Sequence, residues 1–151
     1  MPKITYDVPI YTLHIDFARH VSNIVYVQWM EIGRLLLLQA AGLPVERAAE
    51  RGAVPILVET AISYKKSLRL GDTARAEAWI SELTNASAWI EFRFYNGPGE
   101  LVASGRQRGA FIDLESGRPQ RLSAEDRAAL EPYVIGDERV ERTPGSPTTT
   151  S

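Results

Sequence analysis

The residues that could do chemistry are concentrated between His14 and Arg34. Asp16 carries a carboxylate that could attack a carbonyl carbon as a nucleophile or remove a proton from water as a general base. The chain contains two histidines, and both, His14 and His20, lie close to Asp16 in sequence. No cysteine is present, so thiol nucleophiles, thiolate metal sites and disulfides are excluded.

A long apolar segment follows this cluster. From Asn23 to Leu38 the residues are mostly apolar, which predicts a helix that is enclosed by the rest of the domain. Ser22 is a good N-cap, and Gly42 marks the C-terminal end near Ala41. The first backbone N–H groups of a helix have no intrahelical acceptor and lie at the positive end of its dipole. An acid beside this helix start could attack a carbonyl while the N–H groups stabilise the oxyanion.

The segment before the acid alternates between apolar and polar residues. Tyr11, Leu13 and Ile15 fall on one side, which predicts a half-buried strand over residues 9–16. His14 would then share a face with Asp16, where it either tunes the acid or is merely a polar residue at a strand end.

The remaining chain predicts four antiparallel strands, a short terminal helix over 123–130 with Ser123 as its N-cap, and a tail. The expected strands are Val54–Lys65, Thr73–Leu83, Ala88–Tyr95 and Leu101–Leu114. We therefore predict a single α+β domain over residues 1–135, with a five-stranded antiparallel sheet wrapped around one long central helix. Residues 136–151 are polar and contain two prolines, which predicts a disordered C-terminal tail.

The bulk composition limits the function and the location of the protein. The 151 residues carry a net charge of -2, which gives no reason to expect a nucleic-acid partner. No apolar stretch is long enough to span a bilayer, and the first residues lack the pattern of a signal peptide. We expect a cytoplasmic protein with no membrane partner, no metal and no cofactor.

The predicted sheet also indicates self-association. Its second face carries Trp79, Trp89 and Leu57, and its two edge strands are unprotected. We therefore expect a homodimer or a homotetramer.

The cluster resembles the signature of the hotdog-fold acyl-CoA thioesterases of the 4-hydroxybenzoyl-CoA thioesterase type, usually D-x-D-x-x-G-H-V-x-N-x-x-Y-x-x-x-x-E-x-x-R. The positions that match are Asp16, His20, Val21, Asn23, Tyr26, Glu31 and Arg34. The resemblance implies a hotdog fold, hydrolysis of an acyl-CoA and active sites at a dimer interface. It further implies Asp16 as the catalytic acid and the backbone N–H of Asn23 as the donor to the thioester oxygen. Two positions depart from the signature, since His14 replaces its first acid and Arg19 replaces its loop glycine.

Several further residues are candidates for substrate binding: His20, Tyr26, Glu31, Lys65, Arg69 and Arg118. Each also has a simpler interpretation. Tyr26 could serve packing, Glu31 could pair with Arg34 three residues on, and basic residues near turns are usually only solvated. Basic residues at the turn before the fourth strand hold the CoA phosphates in some relatives, but the corresponding turn here, residues 83–86, has none.

Alternative functions remain open at this point. An acyl-carrier-protein thioesterase and a non-catalytic acyl-binding hotdog protein would both fit the fold. A hotdog hydratase is disfavoured, because its D-x-N-P-x-H pattern is not matched by Asp16 and His20. The sequence does not decide between a nucleophile and a general base for Asp16, and it does not identify the acyl group.

Overall fold

The computed structural model describes residues 3–136 and 138–140. Its elements in chain order are β1 (Ile4–Val8), α1 (Asn23–Ala40), α2 (Ala48–Arg51), β2 (Ala53–Tyr64), β3 (Ala74–Leu83), β4 (Ser87–Asn96), β5 (Leu101–Asp113) and α3 (Ala124–Leu130). Short 3-10 turns cover 12–14, 45–47 and 131–133. The predicted five strands, with a helix between the first strand and the other four, are confirmed. Within the described ranges, no helix combines the length and the apolar character needed to span a bilayer.

The five strands form one antiparallel sheet in the order β1-β3-β4-β5-β2. The long strands β3, β4 and β5 are consecutive neighbours, while β2 pairs with β5 along its whole length and β1 pairs with β3. The two strands next to α1 in sequence, β1 and β2, are therefore the two edges of the sheet.

The first strand lies earlier than the alternation predicted. It runs over Ile4–Val8, whereas residues 12–14 form a 3-10 turn and Ile15 makes a single bridge to Val21. Local hydrogen bonds account for this difference. The N–H of Tyr11 donates to Nδ1 of His14 at 2.9 Å, and the N–H of His14 donates to the Tyr11 carbonyl at 2.9 Å. These bonds close the backbone into a turn, so its groups are not available to a strand ladder.

Helix α1 packs its buried side against the inner face of the sheet. Two glycines allow the helix and the sheet to pack closely. A side chain at Gly33 would meet the ring of Tyr6 on β1, whose hydroxyl donates to the carbonyl of Trp29 at 2.7 Å. A side chain at Gly105 on β5 would meet the thioether of Met30. The large buried side chains between the two layers include Trp29, Met30, Leu37, Phe92 and Phe94.

The outer face of the sheet is covered in part by the chain's own C-terminal segment. The indole N–H of Trp79 donates to the carbonyl of Glu138 at 2.9 Å, and Trp79 is 0% exposed. The N–H of Val140 donates to Oε1 of Glu91 at 3.0 Å. Trp79 is thus buried within one chain, so it does not require a second copy to cover it.

Because of this contact, residues that the sequence assigned to the tail pack on the domain. The sequence placed the start of the tail at residue 136, but residues 138–140 pack on the sheet and Val140 is buried. Residues 141–151 of the predicted tail lie outside the described residues.

Candidate active site

A short loop between Ile15 and Val21 holds Asp16. The bridge between these two residues closes the loop at its base. Within it, Oδ1 of Asp16 accepts hydrogen bonds from the backbone N–H groups of Ala18 at 2.9 Å and His20 at 3.2 Å. Oδ2 accepts no hydrogen bond from the described residues. One oxygen therefore fixes the orientation of the carboxylate and the other remains available for chemistry.

The loop retains the backbone conformation that a glycine would favour. Arg19 has φ of 66°, and no other non-glycine residue in the described ranges has a positive φ. Its N–H donates to the carbonyl of Asp16 at 3.0 Å, and its side chain is exposed. The arginine thus adopts a left-handed conformation that ordinarily favours glycine, at a cost of about 1–3 kcal/mol.

The start of α1 lies directly after this loop. Ser22 caps the helix in an extended conformation, and its hydroxyl accepts from the N–H of Ile24 at 3.4 Å. Asn23 is the first helical residue, as predicted, and its N–H donates to no acceptor in the described part of the chain. The helix start therefore presents an unused donor beside the Asp16 loop.

An open cleft of about 290 Å³ joins the loop, the helix start and the end of β2. Its lining residues are Asp16, His20, Val21, Asn23, Tyr26, Tyr64, Lys65, Lys66 and Ser67. The structure thus brings together five of the residues singled out in the sequence: Asp16, His20, Asn23, Tyr26 and Lys65.

The two histidines have different surroundings. His20 lies in the cleft, where Nδ1 is 3.3 Å from the hydroxyl of Ser67. His14 lies outside it, with its ring stacked on Tyr11 and its edge against Trp29. The Nδ1 atom of His14 is occupied by the Tyr11 N–H, so this ring holds the turn before the loop.

Tyr26 forms the floor of the cleft. Its ring contacts Trp29, Tyr64 and Phe94 edge to face, and it is almost fully buried. Burial, with a smaller effect of Tyr64, raises the pKa of Tyr26 to about 12. The phenol is therefore neutral at physiological pH, and the cleft floor is aromatic rather than charged.

Two lysines lie at the cleft mouth. Lys66 forms an ion pair with Glu100. The Nζ atom of Lys65 has no hydrogen-bond or ion-pair partner among the described residues. Lys65 therefore places an unpaired positive charge at the border of the cleft.

Three of the candidate substrate-binding residues lie outside this cleft. Glu31 is exposed on α1 and pairs with Arg34 at 3.3 Å, the intrahelical contact considered above. Arg69 is exposed in the turn after β2, where its N–H donates to Oδ2 of Asp72. Arg118 follows the far end of β5, roughly 30 Å along the strand from the cleft at about 3.3 Å per residue. Within one chain, Arg118 and Asp16 are thus separated.

The cleft also contains residues that sequence reasoning did not assign to it. Ser67 carries no local signal, because its contact with His20 joins residues 47 apart in the chain. Tyr64 belongs to the alternation of β2, which predicted a strand but no site. Its hydroxyl is 3.5 Å from the Asn23 carbonyl, so it ties the strand end to the helix start.

The five-stranded antiparallel sheet with a helix packed on it matches the fold of solved hotdog thioesterases. The solved structures that resemble the chain include the DHNA-CoA thioesterase of Staphylococcus aureus, with a TM-score of 0.79 and 18% identity, over 87% of this chain and 88% of that one. The protein SAV2348 of Staphylococcus aureus, solved in complex with CoA, gives a TM-score of 0.85 at 13% identity, over 99% of this chain and 96% of that one. At these identities the likeness shows the fold.

The sequence comparisons show the family. The profile of the thioesterase-like superfamily matches residues 11–130, and the chain belongs to that superfamily. YneP of Bacillus subtilis (strain 168), whose name provisionally assigns it as an acyl-CoA thioesterase, is 32% identical over 94 residues. That match covers 62% of this chain and 68% of YneP. The predicted enzyme class, a thioester hydrolase, is confirmed.

Proposed function

We propose that the protein hydrolyses acyl-CoA thioesters with Asp16 as its catalytic carboxylate. The observation that carries this proposal is the geometry of that side chain. Two backbone N–H groups hold Oδ1, while Oδ2 remains free in an open cleft beside the unused N–H of Asn23. This arrangement pairs an oriented acid with an oxyanion donor, which is what acyl transfer to water requires.

In the proposed reaction the thioester oxygen accepts a hydrogen bond from the Asn23 N–H. Either Oδ2 of Asp16 adds to the carbonyl carbon, or Asp16 removes a proton from a water that adds there. Negative charge then develops on the carbonyl oxygen at the positive end of α1. Collapse of the intermediate breaks the C–S bond and releases the CoA thiolate, which takes up a proton. In the nucleophilic route the hydrolytic water then cleaves the acyl-aspartyl anhydride, releases the acid and regenerates Asp16.

Acyl-CoA as the substrate class is supported from two directions. YneP is named for this activity, and SAV2348 was solved in complex with CoA. On this chain, the unpaired Lys65 lies at the border of the cleft, where it could meet a phosphate of CoA.

We further propose that the enzyme is a homodimer that pairs through the β2 edges. Residues 56–61 of this edge strand are all exposed, including Ile56, Leu57 and Val58. Helix α1 also exposes apolar side chains, at Ile24 and Leu35 among others. An unpaired edge with exposed apolar residues is a site for strand pairing with a second copy.

Such pairing would complete the cleft. Two β2 strands related by a two-fold axis run antiparallel, so the Tyr64 end of one copy meets the Ala53 end of the other. Residues that follow β5, including Arg118, lie at the Ala53 end. Arg118 of the second copy would therefore approach the cleft that its own chain cannot reach.

The proposal is tested by incubating the purified protein with a panel of acyl-CoAs and a thiol reagent. We expect release of free CoA for at least one acyl group. A parallel arm offers the same acyl group on an acyl carrier protein, and we expect slower release there. Absence of thiol release across both arms, with binding of acyl-CoA retained, would identify a non-catalytic acyl-binding protein instead.

A further inference from the structure

A second cavity, of about 430 Å³, lies on the outer face of the sheet. It is bounded by β4, β5, the end of β2 and the C-terminal segment. Its lining residues are Lys65, Arg93, Tyr95, Leu101, Ser104 and Val140. The catalytic proposal uses none of these residues except Lys65, which borders both spaces.

The hydroxyl of Ser104 is the unusual group in this cavity. Ser104 is 3% exposed, and its Oγ is a buried side-chain atom with no hydrogen-bond partner among residues 3–136 and 138–140. Buried polar groups in folded proteins are nearly always paired, and an unpaired one is costly. Its neighbours on the same face follow this rule, since Ser81 donates to Glu91, and Arg106 donates to both Glu91 oxygens. Ser104 therefore indicates a missing partner.

The charges around Ser104 define the partner's chemistry. Arg93 and Lys3 both form ion pairs with Glu138, at 3.3 Å and 3.0 Å respectively, so a single carboxylate balances two cations. Lys65 has no partner in the described residues. The hydroxyl of Tyr95 is already used within the protein, since it donates to Glu77 at 2.7 Å. The cavity thus combines surplus positive charge with a hydroxyl donor.

We propose that this cavity binds a phosphate group. An ammonium, a guanidinium and a hydroxyl together supply donors and charge for its oxygens, and arginine suits this anion because of its planar fork. Ser104 would donate to one phosphate oxygen, while Arg93 and Lys65 contact the others. The phosphate could belong to CoA, an assignment that rests on the proposed function, or be a free phosphate.

The first test measures binding of inorganic phosphate by titration calorimetry and by the rise in melting temperature. Relative to wild type, Ser104→Ala and Arg93→Gln should each weaken binding about tenfold, as loss of a hydrogen bond to a charged group does. Arg139→Gln is the matched control, because Arg139 lies in an ion pair with Glu82 outside the cavity. Ser104→Ala should melt no lower than wild type, since its hydroxyl has no partner in the described part of the chain. Equal phosphate affinity in all four proteins, or no binding at all, would overturn the proposal.

The second test identifies the source of the phosphate. If the phosphate belongs to CoA, Ser104→Ala raises KM for an acyl-CoA about tenfold without lowering kcat, and acyl-pantetheine shows no such difference. If the site takes free phosphate, KM is unchanged while phosphate binding is still weakened. Both results support the anion site. Failure of the thioesterase proposal has a different signature, namely absence of hydrolysis by the wild-type protein whatever its affinity for phosphate.

Discussion

Asp16 and His20 are hydrogen-bonded to each other in both directions. The N–H of Asp16 donates to the His20 carbonyl at 2.9 Å, and the N–H of His20 donates to Oδ1 of Asp16 at 3.2 Å. The loop between them is therefore fixed by the side chain it presents. A carboxylate held in this way needs little reorganisation when a substrate arrives, which favours catalysis.

Replacing Asp16 distinguishes its proposed role in catalysis from its role in holding the loop. In Asp16→Asn the amide oxygen can still accept from Ala18 and His20, so the melting temperature should change little. The variant loses the nucleophile or general base, and kcat should fall by about 10²-fold or more. Asp72→Asn is the matched control, since Asp72 also accepts a backbone N–H but lies outside the cleft. Near wild-type hydrolysis by Asp16→Asn would remove this residue from the chemistry.

The oxyanion donor can be tested by removing one backbone N–H. Proline is well tolerated at the first helical position, and Ser22 already has the extended conformation that proline requires before it. Asn23→Pro should therefore fold, yet lower kcat by roughly 10²- to 10³-fold, as loss of one such donor does. Asn23→Ala keeps the N–H and should lose much less. Equal loss in both variants would assign the effect to the side chain, and full activity in both would place the oxyanion site elsewhere.

The left-handed backbone at Arg19 predicts that a glycine at this position does not destabilise the protein. Arg19→Gly relieves a strained φ, so it should be at least as stable as wild type, whereas Arg19→Val should lose about 1–2 kcal/mol. Arg69→Gly is the control, because Arg69 lies in a turn without a positive φ and should lose up to about 1 kcal/mol. Denaturant unfolding measures all three. A clear loss of stability in Arg19→Gly would show that the arginine side chain itself supports the loop.

The C-terminal contact predicts where the chain can be shortened. A chain that ends after Ile135 leaves the Trp79 indole and the Glu91 carboxylate each short of one partner. Loss of these two hydrogen bonds should lower the free energy of unfolding by about 1–3 kcal/mol in total. Tryptophan fluorescence should also shift to the red as Trp79 gains solvent. A chain that ends after Thr143 keeps the contact and should melt like wild type, and an equal melting temperature for both truncations would contradict a supporting role of residues 138–140.

Mixed dimers test whether the cleft is shared. Arg118→Ala alone should lower kcat/KM about tenfold through loss of a contact to a charged group. When the Arg118→Ala and Asp16→Asn proteins exchange subunits, about half of the dimers contain one subunit of each kind. If Arg118 acts across the interface, one cleft of each mixed dimer has both an intact Asp16 and an intact Arg118. The mixture should then recover about a quarter of the wild-type kcat/KM. Recovery of only about a twentieth of the wild-type kcat/KM would mean that Arg118 does not act from the second copy.

Local sequence determined the helix, its caps and four of the strands. Ser22 and Ser123 cap α1 and α3 as predicted, and Gly42 has the positive φ of a helix C-terminal signal. These features depend on residues a few positions apart, where backbone conformation and side-chain periodicity act directly. The signature around Asp16 likewise gave the family, because its spacing lies within one loop and one helix.

Tertiary structure decided the first strand, the cover of the outer face and the composition of the cleft. Alternation over 9–16 was overridden by the hydrogen bond from Tyr11 to His14, a competition that periodicity does not reveal. The contact between Trp79 and Glu138 joins residues 59 apart, so the pattern of β3 alone left that tryptophan exposed. Ser67 reaches His20 only because β2 ends beside the loop. Such contacts depend on how the chain returns in space, which short-range sequence patterns do not specify.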